Sequence, residues 1–418
     1  MGLHSGNALL FPQVEDPIGA ACEDLKPVLD AALGGLGLTT EQALKLASSA
    51  LGDLPALCST ASQLRDLGKG RTVTFSPKVF IPLTRMCRDF CGYCTFRQAP
   101  DETDQLYMSP EQVLDVARAG QRMGCTEALL TLGERPEQRY PEASQWLSRS
   151  GYATTHDYLK RISELILEET SLLPHSNPGT MSRREMEQLR ESNPSIGMML
   201  ESTSPRLHQM GEPHEFAPSK RPSVRIKTLE NAGKLRIPFT TGILIGIGET
   251  RTERINSLLA IREMHRRYGH VQEVIVQNFR AKENTAMEDH LDPSTEDLLW
   301  TVATSRLILG PGANVQVPPN LSYDNYQICL QAGINDWGGI SPVTIDYVNP
   351  EAPWPPIIDL QRRTAELGFE LRPRLAVYPE FAHTSFGYLS PKVSKKVASM
   401  ADDEGYVKGG IDGYVNPA

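Results

Sequence analysis

Three cysteines, Cys87, Cys91 and Cys94, stand in the run RMCRDFCGYCTF with the spacing C-x3-C-x2-C and an aromatic residue, Tyr93, just before the last thiol. Thiolates are soft ligands. A closed cubane iron–sulfur cluster takes four of them, and a structural zinc likewise takes four ligands. Three thiolates leave one iron open to bind and activate another molecule. Zinc knuckles and ribbons pair C-x2-C with a second such pair or with His at short range, and no such partner follows here. The spacing therefore points to a cluster with an open iron, against the alternatives of a zinc site or three free thiols.

Three further runs carry polar or glycine-rich chemistry. Leu132-Gly133-Glu134 in LLTLGERPE is either a ligand-contacting strand end or a Gly turn with a solvated Glu. TGILIGIGETRTER places Gly242, Gly246 and Glu249 at the end of a strand candidate. Glycines let a backbone approach a ligand closely, and the apolar residue between them can pack on an adenine face. A phosphate cradle is the weaker reading, because no Gly-Lys-Ser/Thr follows, and a purely structural turn stays open. MMLESTSPRL offers Glu201, Ser202 and Arg206, suited to ribose hydroxyls and a carboxylate, or else to a helix-entry cap and a surface charge.

Composition bounds the partners of this chemistry. Forty-two basic residues against 51 acidic ones leave a formal charge of −9 over 418 residues, with no long basic run, which argues against nucleic acid. No run of ~18 apolar residues suits a membrane span. The start, MGLHSGNALLFPQVEDP, lacks the basic and apolar regions of a secretory signal. It also has Gly6 where a myristoylation site wants Ser or Thr. The other four cysteines, Cys22, Cys58, Cys125 and Cys329, are not spaced as a disulfide framework. A reducing, cytoplasmic setting and a small-molecule substrate are expected.

The elements that must hold these residues follow from periodicity. Residues 16–68 read as helices, with a capping box at Thr39 and Gln42. Beyond Gly70, strand candidates at 79–83, 128–132, 196–200, 239–245, 271–276 and 315–317 alternate with amphipathic helices. These helices cover 110–123, 156–169, 182–191, 223–234, 252–268 and 295–309. That alternation predicts an α/β fold with a parallel sheet, open or closed into a (β/α) barrel. The organisation expected is an N-terminal helical extension (1–70), a barrel (71–346) and a C-terminal extension (347–418), helical over 357–367 and then irregular. In a parallel barrel the strand-to-helix loops share one mouth, so the motifs should converge there. Gln277 to Arg280, Pro318 to Ser322 and Asn335 to Thr344 are expected to face a substrate rich in donors and acceptors. For Asn335, Asp336 and Trp337 a turn and core packing are the alternative. No histidine is given a role.

The triplet C-x3-C-x-aromatic-C after the first barrel strand resembles the hallmark of the radical S-adenosylmethionine superfamily. That resemblance implies a [4Fe–4S] cluster on Cys87, Cys91 and Cys94, with the methionine amino and carboxylate groups on the open iron. It implies cofactor contacts from Tyr93, from Gly133 and Glu134 (methionine amino group), from Glu201, Ser202 and Arg206 (ribose and carboxylate), and from Gly242, Gly246 and Glu249 (adenine side). Leu132 stands where the family usually has a first Gly. LTRMCRDFCGYCTFR, LTLGERPE, PFTTGILIGIGET, QNFRAK and AGINDWGGISPVTIDYVNPEAPWP together resemble the ring-closing subunit of the 7,8-didemethyl-8-hydroxy-5-deazariboflavin synthase family. KENTAM at 282–287 departs from the Pro-Gly-Thr-Pro turn expected there. The resemblance implies an ammonia-forming cyclase acting on a ribityl-pyrimidine. It further implies a separate tyrosine-joining radical enzyme as partner and a flavodoxin or ferredoxin as electron donor. The tyrosine-joining enzyme or a biotin-synthase-like protein is the alternative within the superfamily.

Overall fold

Thr72–Thr84 is rich in β-branched and aromatic residues and is buried almost throughout, as a strand covered on both faces must be. In the computed structural model, which describes residues 13–35 and 37–415, this run is β1. Residues 1–12, on which most of the leader reading rests, lie outside the described residues. The strands that follow are β2 (Glu127–Leu132), β3 (Leu173–Asn177), β4 (Ser195–Gly197), β5 (Phe239–Ile245), β6 (Val271–Asn278), β7 (Val315–Gln316), β8 (Asp336–Ile340) and β9 (Glu370–Pro373). Every neighbouring pair from β1 to β8 is parallel, and β8 returns to β1, so the sheet closes into an eight-stranded barrel. The ninth strand, β9, pairs in parallel with Thr72–Phe75 of β1.

The sequence reading had six of these eight barrel strands. It missed β3 because LPHSN carries Pro, His, Ser and Asn, of which His175 and Asn177 face the barrel interior and Ser176 bonds Ser163 and Asn193 on the other side, and together they break the apolar signature. It missed β8 because DWGGI looks like a turn, yet Trp337 is fully buried inside that strand. Helix starts were more legible. Side-chain oxygens at Thr39, Ser109, Thr154, Ser182 and Thr250 each accept the N–H three residues on, and each reciprocal capping box is complete. The C-terminal part is more ordered than expected, adding β9 and the helix Pro391–Met400.

The last part of the chain also closes the bottom of the barrel. Arg374, just after β9, reaches in so that its guanidinium meets Asp336 at 2.7 and 3.1 Å and Glu273 at 2.9 Å. Tyr378 Oη and Thr240 Oγ1 donate to the same Glu273 at 2.9 and 3.0 Å, and Thr74 donates to Asp336. Thr74, Thr240, Glu273 and Asp336 all sit near the starts of their strands, so this network is a floor at the end opposite the mouth. Asn335 lies at that end too, bonded to Arg306 and Asn314. Asn335 and Asp336 are therefore floor residues, and the expectation that they face the substrate at the mouth is corrected.

Candidate active site

The loop after β1 carries all three cysteines, and the loops after β2, β3, β4 and β6 bring their first residues to the same end. Gly133 is the hinge of this meeting. A Cβ there would lie 1.9 Å from the carbonyl oxygen of Met86 and 2.8 Å from Cβ of Cys87, so only a bare backbone lets the two loops touch. The contact is used: Glu134 N–H donates to Cys87 Sγ at 3.1 Å, and Arg88 N–H donates to Glu134 O at 2.8 Å. Gly133→Ala is expected to displace the cysteine loop and leave about half or less of the wild-type iron after anaerobic reconstitution, with an unchanged far-ultraviolet spectrum.

Cys87, Cys91 and Cys94 line one cavity of about 240 Å³ together with Tyr93, Gly133, Glu134 and Glu201. Burial pushes the Cys87 thiol up to about 12 and the Cys91 thiol well above its ordinary value, so both need a bound cation to become thiolates. Among the described residues no three His, Cys, Asp or Glu side chains converge closely enough to hold a single metal ion. A cubane, in which each cysteine binds its own iron, does not require convergence on one point, and the three thiols facing one cavity fit it.

Beside the thiols lies a charged network that the sequence showed only in part. Tyr93 Oη donates to Glu201 Oε2 at 2.7 Å, and the same carboxylate pairs with Lys220 and lies 3.3 Å from His214 Nε2. Burial alone would raise the Glu201 carboxyl, but Lys220 and Arg225 hold it well below the usual range. Glu201 takes φ = +64°, an uncommon backbone for a non-glycine residue, which these partners fix in place. Lys220, Arg225 and His214 come from the segment beyond β4. No spacing in the sequence linked them to Tyr93.

The structure does not bring the remaining expected residues to this cavity's lining. Arg206 binds Glu253 at 2.9 Å, Gly248 O at 2.6 Å and Glu212 at 3.3 Å. Ser202 Oγ accepts from Ser204 N–H at 3.1 Å. Glu249 accepts from the N–H groups of Gly246 and Ile247 at 2.8 and 2.9 Å and from Arg254 at 2.6 Å, so it braces its own turn. Gly242 is needed for strand packing, since a Cβ there would lie 2.2 Å from Ile275 O. Only Leu244, between the two glycines, reaches the cavity wall. Glu134 reaches it too, but its carboxylate already accepts from Thr180 N–H and Oγ1 at 3.0 and 2.5 Å.

Below the thiols a second cavity of about 160 Å³ occupies the barrel interior down to the Arg374 floor. The two cavities share Asn177, Gln277 and Val348. Gln277 thus stands where the sequence reading put a substrate contact. Asn278 instead donates to Leu321 O at 3.0 Å, Phe279 packs with Leu207, Leu244 and Ile247, and Arg280 pairs with Asp292.

A profile of the radical SAM superfamily matches residues 81–261. The chain is 54% identical to 7,8-didemethyl-8-hydroxy-5-deazariboflavin synthase of Methanopyrus kandleri over 336 residues, covering 80% of this chain and all of that one. It is 47% identical to FO synthase of Streptomyces coelicolor over 399 residues, covering 93% of this chain but 46% of that protein, so it spans about half the length of that relative. Among solved structures, the FeFe-hydrogenase maturase HydG of Carboxydothermus hydrogenoformans superposes with a TM-score of 0.69 at 19% identity, over 90% of this chain and 88% of that one. Methylornithine synthase (PylB) superposes at 0.65 and 20% identity, over 82% and 97%. At these identities the structural likenesses establish the barrel fold alone. No helix among the described residues is long and apolar enough to cross a membrane.

Proposed function

The chain belongs to the 7,8-didemethyl-8-hydroxy-5-deazariboflavin synthase family of the radical SAM superfamily, and on that premise we propose that it is the ring-closing cyclase. Its substrate is then 5-amino-5-(4-hydroxybenzyl)-6-(D-ribitylimino)-5,6-dihydrouracil, and its products are the deazaflavin and ammonia. The observation that carries this reading is the adjacency of the two cavities. The cavity of the three thiols shares the walls Asn177, Gln277 and Val348 with a floored, amide-lined chamber, which suits a molecule rich in carbonyls and hydroxyls.

Cys87, Cys91 and Cys94 would hold the [4Fe–4S] cluster, with S-adenosylmethionine beside Tyr93, Gly133, Glu134 and Glu201. When bound, the pair supplies one-electron cleavage of the sulfonium and with it a hydrogen-abstracting radical. The substrate must lose a hydrogen near its benzylic carbon, close the central ring, expel ammonia, and give up a proton and one further electron, which returns to the oxidised electron-transfer protein. The barrel's part is orientation and exclusion. Leu132, Met198, Met199 and Leu244 wall the thiol cavity with apolar surface, and the Arg374 floor blocks water from below. A flavodoxin or ferredoxin supplies the electron in the cytoplasm, and a separate tyrosine-joining enzyme supplies the substrate.

The test is an anaerobic incubation of iron-reconstituted protein with S-adenosylmethionine, dithionite and the hydroxybenzyl-pyrimidine. Fluorescent deazaflavin and ammonia are expected in equal amounts, and none from tyrosine plus the ribityl-diaminouracil. Consumption of tyrosine without the partner enzyme would overturn the subunit assignment.

A further inference from the structure

Lys78 is the one feature of the barrel chamber that the reading above leaves unused. It lies in β1 opposite Glu127 of β2, and its side chain turns into the chamber. There its ammonium stands 5.4 Å from the ring centre of Trp354 and 5.9 Å from that of Phe80. Among the described residues it has no hydrogen-bond acceptor and no ion-pair partner. The nearby carboxylates are engaged elsewhere. Asp346 accepts from Asn320 and from Val348 and Asn349 N–H, Glu273 from Arg374, Tyr378 and Thr240, and Glu127 from Ser76. Burial lowers the Lys78 pKa, only partly opposed by Glu127 and Asp346.

The end of its side chain lies against one glycine. A Cβ on Gly339 of β8 would lie 2.1–2.3 Å from Cε, Cδ and Nζ of Lys78. The positive-φ backbone belongs to Gly338, so Gly339 is bare for the sake of space rather than conformation. The Gly-Gly pair in NDWGGI thus leaves room for a lysine head whose three N–H donors have no acceptor among the described residues.

Lys78 is half-buried in the chamber wall, and an ammonium that a ligand covers must find acceptor oxygens on that ligand. Resting on the function proposed above, we propose that Lys78, admitted by Gly339, binds a carbonyl oxygen of the substrate's pyrimidine-dione ring and so sets its orientation. A cation favours the acceptor with the greatest negative charge, and an imide carbonyl exceeds a hydroxyl in that respect. Trp354 and Phe80 give the flat ring apolar walls. The side-chain amides of Asn177, Gln277 and Gln316, which hold no hydrogen bond among the described residues, can both donate and accept, as ribityl hydroxyls require.

The experiment measures binding, not turnover. Iron-reconstituted protein is titrated anaerobically with the ribityl deazaflavin product and with the same ring carrying methyl in place of ribityl, following ring fluorescence. Lys78→Met is expected to weaken both ligands by about tenfold or more, the loss of one charge-assisted hydrogen bond. Gly339→Ala keeps the charge but displaces it, and is expected to weaken both in the same way. Iron content and melting temperature serve as folding controls, and if Lys78→Met does not fold, Gly339→Ala decides. Unchanged binding in the variants, or weakening of the ribityl ligand alone, overturns the assignment of Lys78. If the wild type binds neither ring, the proposed function itself falls.

Discussion

Cys91→Ala should return protein with background iron and sulfide and with deazaflavin formation reduced at least about 10³-fold, while the barrel stays folded. Two thiols cannot hold a cubane, so iron and turnover are expected to disappear together. The fold should survive because the three cysteines sit in a mouth loop, and the substitution removes a single sulfur from a cavity wall rather than from a packed core. Cys22→Ser is the matched control, being an exposed thiol in the N-terminal helical region, and should keep its full iron content. Retention of iron by Cys91→Ala, or its loss in Cys22→Ser, would show that the cluster is held elsewhere.

Arg374→Met carries the largest expected effect on stability. It leaves Asp336 and Glu273 buried without their shared cation, and breaking a buried pair from one side costs about 3–5 kcal/mol. With an unfolding entropy of ~2.1 cal/mol/K per residue, that corresponds to a fall of about 3–6 °C in melting temperature. The triple variant that also carries Asp336→Asn and Glu273→Gln should recover much of the loss, because the stranded charges go with the arginine. A single variant that melts within 1 °C of wild type would mean that the floor network does not contribute.

How far the sequence could be read depended on where a residue's partners lie. That Cys87, Cys91 and Cys94 share one cavity wall was legible because their spacing is local. So were the capping box at Thr39 and Gln42, in which donor and acceptor are three residues apart, and β5, found at Phe239–Ile245 with both ends correct. The strands β3 and β8 were hidden because a barrel with a chamber inside turns polar or bare residues inward. His175 and Asn177 face the chamber, and so does Gly339. The run from Gly242 to Glu249 resembled a cofactor motif, but its glutamate closes on its own backbone N–H groups and on Arg254, a local use that spacing alone does not reveal. Lys220, His214 and Arg225 meet Glu201 through tertiary structure, and Lys78 fell just outside the strand candidate at 79–83. Only the closed barrel showed that its neighbours were already engaged.

The closure of β1 has a consequence for how the protein is made. The strands β8 and β9 that pair with the first half of β1 are encoded roughly 250 residues or more after it. At 5–20 residues per second the nascent chain therefore carries an unpaired strand edge for on the order of ten seconds to a minute. Throughout that interval the loop with Cys87, Cys91 and Cys94 hangs from an unfinished wall. A cluster held by these cysteines would meet its finished site only after β8 and β9 have been made, which ties the timing of cofactor loading to the closure of the barrel.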